Sequence, residues 1–109
     1  MAQSLVTIKK RSIFVHIRNK CNFIRGKAIN VQILQDDNLN DIIAVGYTAT
    51  KKLGNAVLRN KAKRKMRELA KKVITKYGKN NSYYVLIAKT SIFKTSFLDL
   101  ENELKKIIL

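Results

Sequence analysis

The sequence predicts an α+β fold: a single-domain sandwich in which a mostly antiparallel four-stranded sheet packs against about three helices. The first observation is length, because 109 residues with 46% hydrophobic content supply one modest core. The second is periodicity, since apolar residues recur at helical spacing in some segments and alternate in others. The third is the order of those segments, which runs helix, strands, long helix, strand, helix.

The chain begins with a segment that has no strong pattern. Residues 1–10 are predicted to form a mobile basic arm. A short helix follows, capped by Ser12 and running to about Lys20. Phe14 and Arg18 lie four residues apart on one side of this helix. From the helical spacing alone, Phe14 is interpreted as a core anchor rather than a ligand contact.

Two strands and a polar turn come next. Asn22–Gly26 is predicted as a short edge strand. Ala28–Gln35 alternates between apolar and polar residues, which predicts a half-buried strand with Asn30 and Gln32 on its polar face. Gln35–Asp41 is rich in polar residues and predicts a turn.

The remaining strands flank the long helix. Ile42–Thr50 is a predicted strand whose second face is small and hydroxylated, with Thr48 and Thr50 near its end. Such a face allows another chain to approach closely. Ser82–Lys89 is a nearly continuous apolar run, typical of a strand in the middle of a sheet. The chain ends in a helix whose start at Ser96 resembles a capping box.

The stretch from Lys51 to Tyr77 is predicted as a turn at Gly54 followed by one long helix. Asn55 is the predicted N-cap, because its side-chain oxygen can accept hydrogen bonds from the free amides of the first turn. Gly78 stands where helices commonly end. The helix is predicted to bury one apolar stripe, formed by Leu58, Ala62, Met66, Leu69, Val73 and Tyr77.

The rest of this helix is almost entirely cationic. Arg59, Lys63 and Arg67 lie four residues apart on one face, and Asn60 and Arg64 run beside them. Like charges at this spacing destabilise a helix by about 0.2–0.5 kcal/mol per pair, and the segment contains a single acid to offset them. The pattern therefore indicates an anionic partner, with a merely solvated face as the alternative.

Charge is also unevenly distributed over the whole chain. Lys and Arg number 23 and Asp and Glu number 7, which gives a formal net charge of +16. Residues 1–30 contain seven basic residues and no acid. Such segregation predicts a polyanion bound along a defined surface, and nucleic acid is the leading candidate. An anionic membrane is the alternative, but the long helix lacks the wide aromatic and leucine face of an interfacial helix.

Few residues are suited to catalysis or metal binding. Cys21 and His16 are each the only residue of their type, so the chain can form neither an internal disulfide nor a Cys–His or Ser–His–Asp arrangement. Asp36, Asp37 and Asp41 suggest a metal site, but no histidine or further carboxylate supports one, and we expect none. No window approaches the roughly 20 apolar residues of a membrane span. Without a signal-peptide pattern at the N-terminus, we expect a cytoplasmic protein with no membrane partner.

The segment from Lys51 to Glu68 reads KKLGNAVLRNKAKRKMRE. It resembles the signature of the bacterial ribonuclease P protein family, which is approximately KKxGNAVxRNRxKRxxRE. Only Lys61 departs, standing where the family usually has arginine. The match is contiguous and is far more specific than a short phosphate-binding pattern. The resemblance extends over nearly the whole chain, and the N-terminal segment fits more loosely.

This resemblance implies a fold and a function. The family fold is a similar α+β sandwich with a left-handed strand–helix–strand crossover, where base rates alone favour a right-handed one. The family protein is a subunit of an endoribonuclease ribonucleoprotein, in which a catalytic RNA removes the 5′ leader of precursor tRNA by Mg²⁺-dependent hydrolysis. The resemblance implies no catalytic residue in the protein, Mg²⁺ held mainly by the RNA, and no dedicated protein partner.

The resemblance also assigns two sets of residues. The catalytic RNA would be bound by Lys51, Lys52, Asn55, Arg59, Asn60, Lys61, Lys63, Arg64 and Arg67. The leader of precursor tRNA would be bound in a cleft lined by Phe14, Arg18, Asn30, Gln32, Thr48 and Thr50. Many family members have aromatic residues where this chain has Arg18 and Gln32. A small basic ribosomal or RNA-chaperone protein without a role in cleavage is the alternative, and only the signature separates the two.

Overall fold

Five segments pair into one sheet, and helices cover both of its faces. The structure is a computed structural model and describes residues 5–109. Its strands are β1 (Leu5–Thr7), β2 (Asn22–Ile24), β3 (Ile29–Gln35), β4 (Ile43–Thr48) and β5 (Ser82–Ala88). Its helices are α1 (Arg11–Lys20), the long helix α2, which begins at Ala56, and α3 (Phe97–Ile108).

The sheet is mixed, with strand order β1-β4-β5-β3-β2. Strands β1, β4 and β5 run parallel to one another, whereas β3 is antiparallel to both β5 and β2. The α+β class with three helices is confirmed, but the predicted four-stranded, mostly antiparallel sheet is wrong. Neighbouring β4 and β5 run parallel because the whole length of α2 carries the chain back between them. The left-handed sense of that crossover stays a prediction.

The fifth strand lies within the predicted N-terminal arm. Residues 1–4 of that arm lie outside the described residues. Leu5–Thr7 pair with β4, and Ile8 is buried and donates its backbone N–H to the carbonyl of Val45 at 2.9 Å. The structure therefore differs from the predicted arm from Leu5 onward. A strand of three residues is too short to display a two-residue period, so the sequence gives no sign of it.

Each face of the sheet has its own core. The larger core lies between the sheet and helices α2 and α3, where residues such as Val31, Met66 and Leu100 are fully buried. The smaller core lies under α1, where Ile17 packs with Ala44 and Val85. The two cores confirm the predicted alternation of β3 and β4, because both strands contribute apolar side chains to the larger one.

Helix α2 continues to Tyr77 but changes its winding on the way. It is α-helical over Ala56–Leu69, widens to a π turn over Ala70–Ile74 and ends in one α turn over Thr75–Tyr77. The wider turn buries Ala70 and Ile74 in addition to Ala62, Met66, Leu69 and Val73 of the predicted stripe. The stripe is wrong at its start, because Leu58 in the first turn of α2 is 37% exposed, and Tyr77 at its end is only half-buried. The sequence gives no sign of the π turn, because its apolar residues also fit ordinary helical spacing.

The predicted N-caps are confirmed in α2 and α3 and wrong in α1. In α2 the side-chain oxygen of Asn55 accepts the N–H of Leu58 at 3.0 Å, which confirms the predicted N-cap. In α3 the hydroxyl of Ser96 accepts the N–H of Asp99 at 3.1 Å, as the capping-box pattern predicted. The predicted Ser12 cap of α1 is wrong. The helix begins at Arg11, so Lys10 is at the N-cap position, and no side chain caps the helix.

Helix α3 also holds the turn between β2 and β3. The carboxylate of Glu103 accepts hydrogen bonds from the backbone N–H groups of Lys27, Ala28 and Ile29 at 3.1, 3.0 and 2.9 Å. These bonds satisfy donors that the strand ladder leaves free. They fix the edge of the sheet to which β2 belongs.

Candidate nucleic-acid interface

Helix α2 turns its charged residues outward because its apolar stripe is buried against the sheet. The outward-facing residues form what we call the α2 face, which consists of five cations and one amide: Arg59, Asn60, Lys61, Lys63, Arg64 and Arg67. Arg59 and Lys63 are half-buried, and the other members are exposed. Lys51 and Lys52 are also exposed, in the short 3-10 turn that precedes the helix. Eight of the nine residues predicted to bind the catalytic RNA thus form one outward surface, and the ninth, Asn55, caps the helix.

The charges of the α2 face have no acidic partners in the described part of the chain. The one salt bridge between residues 5 and 109 joins Lys72 to Glu101 at 3.6 Å, outside this face. Glu68 makes none, although the sequence places it four residues from Arg64. The Nε of Arg59 is buried and has no hydrogen-bond partner among the described residues. An uncompensated field of this kind attracts polyanions.

Arg67 of the α2 face acts electrostatically on Tyr47 of β4. Burial raises the pKa of the Tyr47 phenol above its ordinary value, and the Arg67 guanidinium opposes that rise because its positive charge favours the phenolate. The charge of Arg67 is therefore felt by a half-buried group of the sheet.

The opposite face of the sheet carries the second predicted set, which we call the α1-side surface: Phe14, Arg18, Asn30, Gln32, Thr48 and Thr50. Strand register brings its members together from distant parts of the chain. Asn30 and Thr48 pair with the same residue of β5, Ile87, so these three form one row across the sheet. Gln32 and Gly46 both pair with Val85 and form the neighbouring row.

Phe14 reaches this surface from α1. Its ring lies against Gly46, where an added methyl group would be 2.5 Å from Cε1 and 2.8 Å from Cζ of the ring. The ring also packs against the smaller core and remains half-buried. Glycine at position 46 is what lets the ring approach the strand. Phe14 is thus placed both to anchor α1 and to border the open part of the sheet.

Polar groups of the α1-side surface are only partly engaged within the protein. The side-chain oxygen of Asn30 accepts the N–H of Gly26 at 3.2 Å, which leaves its amide group as a donor. The side chains of Gln32 and Thr48 make no hydrogen bond with another described residue, and both are half-buried. These groups can therefore bond to base edges or sugar hydroxyls.

Two members of the predicted set lie at the margins. Arg18 is exposed, one helical turn beyond Phe14 on α1. Thr50 is exposed beyond the end of β4, next to Lys51, so this end of the surface adjoins the start of the α2 face. Sequence reasoning missed Ile87 on the same side of the sheet. Ile87 belongs to an apolar run with no alternation, so only the strand register reveals its direction.

A depression of about 630 Å³ lies between the β2–β3 turn and α3, away from the α1-side surface. Glu103 in its lining is already bonded to backbone amides. The leader-binding cleft that the resemblance implies at the α1-side surface stays a prediction.

The described residues offer neither a metal site nor a membrane span. Between residues 5 and 109, no three His, Cys, Asp or Glu side chains come close enough together to hold a metal ion. In the same range, no helix is both long and apolar enough to cross a membrane.

Comparisons with known proteins agree with the fold and with the sequence signature of α2. The sequence model of the family described as Ribonuclease P matches residues 3–109. The ribonuclease P protein component of Caulobacter vibrioides is 38% identical over 82 residues, which is 75% of this chain but only about half (54%) of that protein. The protein component of Gluconacetobacter diazotrophicus is 30% identical over 106 residues, covering 97% of this chain and 90% of the relative. The structure of the Staphylococcus aureus RNase P protein, 31% identical, aligns with a TM-score of 0.76 over 93% of this chain and 90% of that one. With the signature on α2 and the fold in agreement, the chain belongs to the ribonuclease P protein family.

Proposed function

We propose that this chain is the protein subunit of a ribonuclease P ribonucleoprotein and assists an RNA-catalysed removal of the 5′ leader from precursor tRNA. The observation that carries the proposal is the α2 face, whose cations have no acidic partner within the described residues. Keeping these charges together destabilises the free protein, and binding phosphates relieves the repulsion. A large folded RNA supplies phosphates over the whole length of such a helix.

On this proposal the α2 face binds the catalytic RNA. Its arginines and lysines contact phosphates, which gives affinity and position without reading sequence. Asn60 supplies an amide that can bond to a base or a sugar. Asn55 contributes mainly by starting the helix, because its side-chain oxygen is committed to the N–H of Leu58. Lys51 and Lys52 extend the positive surface to the start of α2, where the free amides of the helix also favour phosphate.

The α1-side surface binds the 5′ leader as a single strand. Phe14 offers an aromatic ring for base stacking, and Arg18 offers a charge for the leader backbone. Asn30, Gln32 and Thr48 lie where they can bond to base edges and 2′-hydroxyls. Because Thr50 is followed directly by Lys51, which extends the positive surface of α2, one protein can hold the catalytic RNA and the leader on two faces that meet at this point.

The protein itself supplies no reacting group in this proposal. Mg²⁺ would be held mainly by the catalytic RNA and would supply charge stabilisation and water activation for the hydrolysis. The protein contributes affinity for the precursor and screens the repulsion between two RNAs with its +16 charge. Lower Mg²⁺ should therefore suffice when the protein is present.

Reconstitution tests the proposal. Purified protein is combined with a bacterial ribonuclease P RNA and end-labelled precursor tRNA at a series of Mg²⁺ concentrations. We expect cleavage at the mature 5′ end at lower Mg²⁺ than the RNA alone requires, and no cleavage by the protein alone.

Two results would overturn the proposal. Robust cleavage by a preparation shown to be free of RNA would place the chemistry in the protein. Tight binding to ribosomal RNA with no stimulation of the catalytic RNA would instead favour a basic ribosomal or RNA-chaperone protein.

A further inference from the structure

Phe23 is an aromatic residue that is a member of neither the α2 face nor the α1-side surface as predicted. It is the middle residue of the edge strand β2, and 47% of its surface is exposed. It pairs directly with Gln32 of β3. Paired residues of an antiparallel ladder point to the same face of the sheet, so Phe23 extends the α1-side surface to the edge of the sheet.

Register also places Phe23 relative to Phe14. Phe23, Gln32, Val85 and Gly46 form one continuous row across four strands, and the ring of Phe14 lies on Gly46 at the other end. Three strand spacings of about 4.8 Å separate the ends of the row by roughly 14 Å. Neighbouring stacked bases are only about 3.4 Å apart. The two rings can therefore contact different nucleotides of one strand.

The surroundings of Phe23 match RNA rather than a protein partner. Arg18, Lys20 and Arg25 are all exposed and flank it along the chain. No acidic residue precedes Asp36 in the sequence. Aromatic rings interleaved with cations are the usual composition of surfaces that bind single-stranded nucleic acid. The position of Phe23 is also stable, because Glu103 holds the turn that follows β2.

We propose that Phe23 is a second stacking residue for the 5′ leader, contacting a different nucleotide from the one at Phe14. The inference rests on the proposed leader-binding function. Stacking on a ring tolerates any base, so Phe23 makes recognition depend on the length of the leader and not on its sequence. The half-buried Gln32 lies between the two rings on the track that the single strand follows, whereas Val85 of the same row is buried in the smaller core.

The test measures binding of precursor tRNA to the reconstituted holoenzyme while the leader is lengthened one nucleotide at a time. The variants are Phe23→Ala, Phe23→Trp and Phe14→Leu, with Leu98→Ala as the control, since Leu98 is an exposed apolar residue on α3. Phe23→Ala should weaken binding about fivefold to tenfold once the leader is long enough to reach the ring. Phe23→Trp should bind like the wild type. The loss for Phe14→Leu should begin at a different leader length.

The other possible results of these binding measurements separate a failure of the Phe23 inference from a failure of the proposed function. If Phe14→Leu shows a leader-dependent loss and Phe23→Ala shows none at any length, Phe23 is not a leader contact and the proposed function stands. If the wild type itself shows no dependence on leader length, both the proposed leader surface and this inference fail. Three further results for Phe23→Ala would each overturn the role of Phe23 as a leader contact. They are an equal loss of affinity for mature tRNA, weaker binding to the catalytic RNA, and a change in self-association.

Discussion

The α2 face and the α1-side surface lie on opposite sides of one sheet and are assembled in opposite ways. The α2 face comes from one uninterrupted helix, and its members are fixed relative to each other by helical geometry. The α1-side surface takes side chains from α1 and from several strands, and only the pairing of β3, β4 and β5 aligns them. One is a property of local sequence and the other is a property of the whole fold.

This difference in construction implies a difference in how each surface binds. The α2 face acts through many similar charges, so its affinity should depend steeply on salt and only gradually on any one residue. The α1-side surface acts through a few placed groups, such as Phe14 over Gly46. Its affinity should depend on small displacements of those groups and much less on salt.

The largest expected effect comes from removing charge from the α2 face. Arg59→Ala combined with Arg64→Ala should weaken binding to the catalytic RNA by about 3 kcal/mol, roughly a hundredfold in Kd, because two charge-assisted contacts are lost. The slope of log affinity against log salt should fall by about two, one for each phosphate contact. Filter binding over a range of salt concentrations measures both quantities.

The matched control removes the same charge elsewhere. Lys94→Ala with Lys106→Ala takes two exposed cations from outside the α2 face, one in the turn after β5 and one on α3. If this pair lowers affinity and slope as much as the arginine pair does, net charge decides binding and the α2 face has no special role.

A smaller effect is expected where the α1-side surface is packed most tightly. Gly46→Ala places a methyl group against the ring of Phe14 and should destabilise the fold by about 2 kcal/mol through overpacking. In a Phe14→Ala background the same substitution should not lower the free energy of unfolding, because the ring is gone and alanine is more favourable than glycine in a strand. Chemical unfolding of the four proteins measures the coupling.

The two sites must also separate in function. Gly46→Ala, under conditions where it remains folded, should reduce leader-dependent binding of precursor tRNA and leave the catalytic-RNA affinity unchanged. If Gly46→Ala lowers the free energy of unfolding by the same amount in both backgrounds, the position of the Phe14 ring does not depend on glycine at position 46.

The contrast between the surfaces also decides what the sequence could predict. The Asn55 cap, the apolar stripe from Ala62 to Val73 and the cationic rows of α2 were predicted correctly, because capping and helical spacing are local rules. Spacing alone could not show that Leu58, in the first turn, is exposed. The strand faces of β3 and β4 were predicted for the same reason. Parallel pairing of β1 with β4 could not be predicted, since it depends on contacts between segments far apart in the chain.

Individual residues of the α1-side surface show the same limit. The alternation of β3 placed Asn30 on the correct face, but it could not show that its oxygen is used to hold the turn at Gly26. Two other features appear only when three or more elements are assembled. They are the contact of the Phe14 ring with Gly46 and the row that links Gln32 to Phe23. The roles assigned to all these residues in binding RNA stay predictions.

The smallest expected effect probes the electrostatic influence of Arg67 on Tyr47 of β4. Burial raises the pKa of Tyr47 and Arg67 opposes the rise, so Arg67→Ala should raise that pKa further. A tyrosine whose pKa is higher in the folded state keeps its proton when the unfolded chain has lost it. Its contribution to stability is therefore complete below the ordinary tyrosine pKa of 10.0 and is lost as pH rises through the folded-state value. Ultraviolet titration of the phenols, with Tyr47→Phe subtracted, measures the shift.

Lys61→Ala is the control, because Lys61 is an exposed cation of the same helix and does not contribute to the pKa shift of Tyr47. If both substitutions raise the pKa of Tyr47 equally, the tyrosine responds only to the net charge of α2 and not to Arg67 in particular. If only Arg67→Ala does so, Tyr47 reports on that one position. Binding of an RNA phosphate to Arg67 should then raise the pKa in the wild type as well, because it neutralises the same charge. The titration would thus detect from within the sheet whether a phosphate is bound at Arg67.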